Sequence, residues 1–451
     1  MKLALAELAA PLTAEVRGAA TFTSVATDSR KVPAGSLFVA LAGERFDAHD
    51  FVAQAAASGA AAALVSRWLD VDIPQLKVAD TLVGLQQLAR FWRRRFTIPV
   101  VAVTGSNGKT TTKQLLSSVF TARGPVLATI GNLNNHIGVP LTLLGLDDTQ
   151  RTAVIEMGAN HAGEIATLAA IAEPNVGVIT QAGDAHLEGF GSREGVARAK
   201  GELFAALGAR GIAVINADDH YAPLWRQLAG SAATLHFGLA DDADIQALHL
   251  QPQPLGGTRF ILRTPQGRAE VELPLPGRHN VMNALAAAGC GVALGLDAET
   301  IAAGLANVQP PPGRLSWTRS ERGARVLDDT YNANPGSLRA ALELLATTPG
   351  RRWLALGNMA ELGDDAALLH RQAGLAAREL GVERLFASGA LAAEAATSFG
   401  SGGEAFADAE ALLAALRPQL DDTITLLVKG SRSARMERVV AALTGTTAGE
   451  H

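Results

Sequence analysis

From Val100 onward the chain repeats one pattern: an apolar run, a stop at Gly, Asp or Asn, a helical stretch, then another apolar run. VVAVTG, AVIEMG, VGVITQ and IAVINADD all follow it. Runs that are apolar on both faces and separated by helices predict a doubly wound parallel sheet, because only helices on both sides can bury such strands. The pattern therefore fixes an α/β class for the middle of the chain.

With 451 residues, and roughly 150 residues per domain, about three domains are expected, each able to bury its own core. Residues 1–92 mix short apolar runs (SLFVAL, AAALVS) with polar turns, and FWRRRFTIP then reads as a helix end and linker. Residues 93–312 carry the parallel pattern. Within them, TRFILRT and AEVELPL alternate as antiparallel strands should, and NVMNALAAAGCGVAL reads as a helix. VQPPPGR is too proline-rich for a helix interior and makes a hinge. Residues 313–451 resume α/β alternation in RVLDDTY, RWLALGN, RLFASG and TLLVKGS.

Composition excludes several classes. Hydrophobic residues make up 48% and charged residues 18%, a globular balance. The net charge of −5, without a long basic block, disfavours nucleic acid and anionic membranes as partners. The one cysteine, Cys290, lies in an apolar stretch and reads as packing. Glu7 and Glu15 interrupt the N-terminal segment, and no run of about 18 apolar residues follows, so a cytoplasmic location is expected. A monomer is expected too, since no exposed apolar repeat suggests an obligate partner.

VVAVTGSNGKTTTKQLLSSVF reads as strand, glycine turn and helix start, the context in which a phosphate loop is credible. Backbone N–H groups of Ser106, Asn107, Gly108 and Lys109 would face phosphates, the helix N-terminus favours an anion, and Lys109 adds a charge. Thr110 is placed to hold Mg²⁺. The common pattern wants a glycine where this chain has Val103; the nearest is Gly105, so the loop is shortened.

TGSNGKTTTK resembles the ATP loop of the Mur ligases and of the related folylpolyglutamate synthases, three-domain enzymes that activate a carboxylate with ATP and couple it to an amine. The resemblance implies ATP contacts from Gly105 to Thr111. It also implies three bodies: a small mixed α/β domain for a UDP-linked substrate, a central doubly wound P-loop-type ATPase domain, and a C-terminal Rossmann-like α/β domain for the amine.

Glu156 ends an apolar run and should sit at the C-terminal edge of a parallel strand, where ligands bind in open sheets, as a Mg²⁺ ligand. His186, in DAHLEGFGS, follows the next strand, and Lys200 falls 14 residues on in a helical segment. The lysine matching Lys200 in Mur ligases is carbamylated by CO₂, which implies a second Mg²⁺ held with His186. Lys109, Glu156, His186 and Lys200 form the implied catalytic set. In GRHNVMNALAA, Asn280 and Asn283 resemble the family's adenine and ribose contacts, although helix capping explains Asn280 equally well. Arg314 and Asp329 match third-domain residues that domain closure would carry onto the nucleotide.

Outside the ATP site, GNLNNHIGVPLTLL, DDTYNANPGSL, LGNMAELG and LVKGSRSARME resemble the branch of the family that adds D-alanyl-D-alanine to UDP-N-acetylmuramoyl-tripeptide in peptidoglycan precursor synthesis. That implies substrate contacts from Asn134, Asn135, Tyr331, Asn332 and Asn334. TDSRKVPAGSLFVAL and GERFDAHDF resemble the uridine-nucleotide-binding domain and nominate Asp28, Ser29, Arg30, Gly43, Arg45, Asp47 and His49. Two residues depart from the common pattern: Asn358 stands where Asp is common, and His136 where Glu is common. The rivals are another ligase of the superfamily, against which LNNHIGVP and YNANP argue, and a P-loop hydrolase or kinase, against which the shortened loop and third-domain matches argue.

Overall fold

The computed structural model describes residues 1–43, 46–183, 187–253, 256–310 and 312–446, the side chains of 187 and 188 excepted. They form three α/β bodies, each around its own sheet.

The first holds a five-stranded sheet in the order Glu15–Arg17, Gln75–Lys77, Ala62–Val65, Ser36–Val39, Ser24–Ala26, parallel except at the first pair. Helix α1 (Thr81–Arg93) leads out of it, begun by Asp80, whose side chain accepts the N–H groups of Leu82 and Val83. This helix binds the first body to the second. Trp92 Nε1 donates to Leu146 O at 2.9 Å, and buried Arg93 donates to Ala172, Phe96 and Ile98 carbonyls. Arg90 and Arg94 both pair with Glu173. One apolar cluster, from Leu3 and Phe22 through Leu85 and Trp92 to Val100 and Ile155, runs through both bodies.

The central sheet has nine strands. At its middle lie β1 (Val100–Thr104), β2 (Thr152–Glu156), β3 (Val176–Ile179) and β4 (Ile212–Asn216), in the spatial order β4-β3-β1-β2 and all parallel. Every residue of β1, β2 and β3 is buried, as their unbroken apolar runs predict. Helices α2 (Lys109–Phe120), α3 (Arg193–Ala205) and α4 (Arg278–Ala293) cover it. Ile245–Pro252, Thr258–Thr264 and Gly267–Leu273 pair antiparallel at one edge, where alternation in the sequence places them.

The third body is a six-stranded sheet with β5 (Arg325–Asp329), β6 (Arg351–Gly357) and β7 (Ile424–Lys429) in the order β5-β7-β6. It carries α5 (Pro335–Ala346), α6 (Ala366–Glu379), α7 (Ala390–Phe399) and α8 (Glu437–Thr444). Its two apolar clusters are its own. The C-terminal ends of β1, β2, β5 and β7 point their following loops into one cleft of about 1170 Å³ between the second and third bodies. No helix among the described residues is long and apolar enough to cross a membrane.

Candidate active site

The loop between β1 and α2 is set by contacts that only glycine permits. Gly105 has φ 146°, and a Cβ there would lie 1.9 Å from Thr180 Oγ1. Gly108 has φ 84°, and its Cβ would lie 2.2 Å from Asn283 Oδ1. Thr180 fixes the loop by donating to Asn107 O at 2.5 Å, and Ser106 Oγ accepts the Gly183 N–H at 2.9 Å. Lys109 Nζ curls back to donate to Gly105 O at 2.6 Å and Ser106 O at 3.3 Å. Burial, with Arg314 nearby, lowers its affinity for a proton, while Glu156 opposes.

Glu156 ends β2 at the sheet edge, 2% exposed. Its Oε1 accepts Thr110 Oγ1 at 3.3 Å and Asn134 Nδ2 at 2.9 Å. Its Oε2 is buried without a hydrogen bond among the described residues; Lys113 Nζ stands 3.6 Å away. Lys113 was not singled out in the sequence. One helical turn after Lys109, it shares that lysine's side of α2, and this spacing is the signal that could have found it.

Lys200, on α3, is 1% exposed. Its Nζ donates to Ala159 O at 3.3 Å and lies 5.1 Å from the centre of the Phe190 ring. Burial, then the charge of Lys109, pulls its titration down to about 7, against Glu164 and Glu202. A lysine so placed holds much of its amine neutral at physiological pH. His186, its expected companion, lies outside the described residues, as does Arg45.

At the start of α4, Asn280 Nδ2 donates to Pro276 O at 2.8 Å and Asn283 Nδ2 to Asn280 Oδ1 at 3.1 Å. Capping does not account for Asn280: Gly277 is the cap of α4, and Asn280 sits in the first turn with its amide donating back to Pro276 rather than accepting a helix N–H. Neighbouring His279 lines the cleft, its titration pushed down to about 4 by burial, with Asp329 opposing and Lys429 reinforcing.

The third body reaches in from the opposite side. Arg314 Nη2 donates to Thr110 Oγ1 at 3.0 Å, its guanidinium lies 4.1 Å from the Tyr331 ring centre, and its Nε is buried without a hydrogen-bond partner among the described residues. Asp329 is held by a buried ion pair with Lys429, which also donates to Asn332 O at 2.9 Å. Asn334 begins α5 as its cap and faces Asn107. Ser431 donates through N and Oγ to Asn358 O at 2.9 and 2.7 Å, tying the loop after β7 to that after β6. The departure at Asn358 is accommodated locally, its Oδ1 accepting Ala392 N–H at the start of α7.

The cleft thus gathers Ser106 to Thr111, Asn134, Asn135, Glu156, Asn280, Asn283, Arg314, Asp329, Tyr331, Asn332 and Asn334 in its lining. It is not lined by Asp28, Ser29, Arg30, Gly43, Asp47 or His49. Asp28 pairs with Arg30 on the surface of the first body. His49 is buried, its Nδ1 against Asp47 and its Nε2 accepting the Ser66 N–H, so its ring is engaged in structure.

A shortened phosphate loop on a parallel sheet, with a second α/β body delivering an arginine to it, suits an enzyme that transfers phosphoryl groups from a nucleotide. Family matches narrow this to a ligase: the Mur ligase family catalytic domain matches residues 21–92, the Mur ligase middle domain 103–291, and the Mur ligase glutamate ligase domain 313–432. The chain belongs to the Mur ligase family. It is 46% identical over 447 residues, 98% of each chain, to the UDP-N-acetylmuramoyl-tripeptide–D-alanyl-D-alanine ligase of Escherichia coli (strain K12). Its fold is similar to crystal structure I of MurF from Acinetobacter baumannii, with TM-score 0.93, 37% identity, and coverage of 98% of this chain and 99% of that one. It is also similar to the MurF ligase of Thermotoga maritima in complex with ADP, with TM-score 0.83, 30% identity, and coverage of 93% and 96%.

Proposed function

We propose that this chain adds D-alanyl-D-alanine to UDP-N-acetylmuramoyl-tripeptide, consuming ATP and releasing ADP and phosphate, as a cytoplasmic monomer in peptidoglycan precursor synthesis. The observation that carries the reading is the Arg314–Thr110 contact, which joins the third body to the phosphate loop. Residues 1–92 hold the uridine nucleotide, 93–312 the ATP, and 313–451 the amine. The tripeptide carboxylate attacks the γ-phosphorus and ADP leaves, giving an acyl phosphate. The amine then attacks the carbonyl carbon, phosphate leaves from the tetrahedral adduct, and the nitrogen loses its proton. Lys109 and Arg314 stabilise charge on the transferring phosphoryl group, and the cleft positions both reactants.

The donors fit Mg²⁺. The orphaned, buried Oε2 of Glu156 and the hydroxyl of Thr110 are hard oxygen ligands side by side. No group of three or more His, Cys, Asp or Glu that could hold a metal occurs among the described residues. Lys200, buried and easily neutralised, fits CO₂ uptake to give a carbamate, which with His186 would hold a second ion. When bound, the two ions would neutralise phosphoryl charge so that an anionic carboxylate can approach.

The test is phosphate release from Mg-ATP with UDP-N-acetylmuramoyl-tripeptide, with and without D-alanyl-D-alanine. Release that requires both substrates is expected. Release with neither would instead identify a hydrolase.

A further inference from the structure

A buried carboxylate needs a counter-charge, and the one that Glu156 has is set at an unusual distance. Oε1 is taken up by two hydrogen bonds, from Thr110 Oγ1 at 3.3 Å and Asn134 Nδ2 at 2.9 Å. Oε2 faces the ammonium of Lys113 at 3.6 Å, beyond hydrogen-bond reach, and is buried with no hydrogen bond among the described residues. Lys113 therefore balances the charge of this carboxylate while leaving the lone pairs of one oxygen free. Both side chains are almost wholly buried, at 4% and 3% exposed, so water supplies little of that balance.

The surroundings are cationic. Lys109 begins the helix that carries Lys113, one turn earlier, and Arg314 Nη2 donates to the Thr110 hydroxyl at 3.0 Å, one hydroxyl removed from Glu156. Arg314 and Glu156 are charges that both lysines feel. Asp329, also in the cleft, is taken up by Lys429. Three cations thus stand around the Glu156 carboxylate. A site so charged attracts a polyphosphate and repels a free dication.

We propose that Lys113 is a placeholder cation for the metal position: in the nucleotide-free protein it compensates and aligns the Glu156 carboxylate, and it keeps bare divalent ions out until they arrive on the phosphates of a nucleotide. It acts through Glu156, as a positioning residue. The phosphates reverse the charge balance of the site, so metal and nucleotide enter together where the metal alone does not. The inference rests on the reading of Glu156 as a Mg²⁺ ligand given above and adds an order of assembly to it.

The experiment titrates the nucleotide-free protein with Mn²⁺ in place of Mg²⁺, because electron paramagnetic resonance reads free Mn²⁺ directly. Wild type should bind bare Mn²⁺ weakly, and far more tightly with ADP present. Removing one like charge a few ångströms from a dication is on the order of a tenfold effect or more. Lys113→Met and Lys113→Gln should therefore each bind bare Mn²⁺ more tightly than wild type by at least that factor, and the difference should shrink with ADP. The gain should vanish when Glu156→Gln is added to Lys113→Met. Equal affinity of wild type and both variants for bare Mn²⁺, or a gain that survives Glu156→Gln, would overturn the proposal. So would wild type binding bare Mn²⁺ as tightly as it does with ADP, a result that needs no variant to fold. If Glu156→Gln alone leaves Mn²⁺ affinity with ADP unchanged, the metal reading fails first and takes this inference with it.

Discussion

Asn107 in the phosphate loop and Asn334 at the start of α5 hold each other across the cleft. Asn334 Nδ2 donates to Asn107 Oδ1 at 2.7 Å, and Asn107 Nδ2 stands 3.4 Å from Asn334 Oδ1. Asn334 Oδ1 also accepts the Ser337 N–H at 2.9 Å, so one side chain both caps a helix and bridges two bodies. Asn334→Ala should cost about 1 kcal/mol through the lost cap, and should open the cleft as well. Thermal unfolding measures the first effect and the radius of gyration in solution the second. An unchanged melting temperature would rule out the cap.

Lys109→Ala removes the loop's cation. Phosphoryl transfer depends on such charges by roughly 10³-fold or more, so turnover should fall at least that far while the fold persists. Initial-rate assays at saturating Mg-ATP would show it; near-normal turnover would exclude this loop as the phosphate site.

Lys113 and Glu156 form a buried pair, with side chains 4% and 3% exposed. Removing one partner of such a pair costs about 3–5 kcal/mol, so Lys113→Met should destabilise the protein by an amount of that order. Mg-ATP should restore part of the loss, because a cation held at Glu156, as proposed, would replace the missing charge. Melting curves with and without Mg-ATP decide it; equal losses in both would contradict a metal site at Glu156.

Lys200 titrates at about 7 in the fold, against about 10.4 in the unfolded chain. Between those values the unfolded chain binds more protons, so stability contributed by this site rises with pH across the window and is lost as pH falls toward 7. Neutral amine also grows with pH, so bicarbonate should stimulate activity more at pH 8 than at pH 6.5. Lys200→Ala should lose most activity and regain part of it with acetate or propionate. A fully active variant would end the carbamate assignment.

His370 on α6 is fully buried. Its Nε2 accepts the Met359 N–H at 2.9 Å and its Nδ1 donates to Ala366 O at 2.7 Å. Burial holds its titration below the ordinary value, against the Ala366 carbonyl and Glu394. As pH falls below about 6.5, the unfolded ring takes a proton that the native ring resists, so stability declines on acidification. His370→Ala should abolish that slope and cost about 1–3 kcal/mol by orphaning the Met359 N–H. Urea unfolding at pH 8 and pH 5.5 would measure both; an unchanged slope would remove His370 as its source.

The parts legible in the sequence were those set by short-range pattern. VVAVTGSNGKTTTK gives strand, turn and helix because an unbroken apolar run must be buried and two glycines must turn. Glu156 was legible because a carboxylate closing such a run has only the sheet edge to occupy. Lys113, Lys429 and Ser431 were not, since their importance lies in partners far along the chain: Lys429 meets Asp329 one hundred positions away. Ordinary surface-type residues in the sequence, they become buried or paired only when β5 and β7 lie side by side, or when α2 packs beneath β2. The N-terminal nominations rest on resemblance, and a buried histidine such as His49 reads the same in sequence whether it serves a ligand or a turn.

The first and second bodies share one apolar cluster, whereas the second and third meet through amides, a hydroxyl and a guanidinium. Parting the first pair would wet that shared hydrocarbon surface and raise the heat capacity; parting the second would chiefly exchange these polar contacts for water. The molecule therefore has one seam held chiefly by polar contacts, and it runs through the cleft where ATP would enter and ADP would leave.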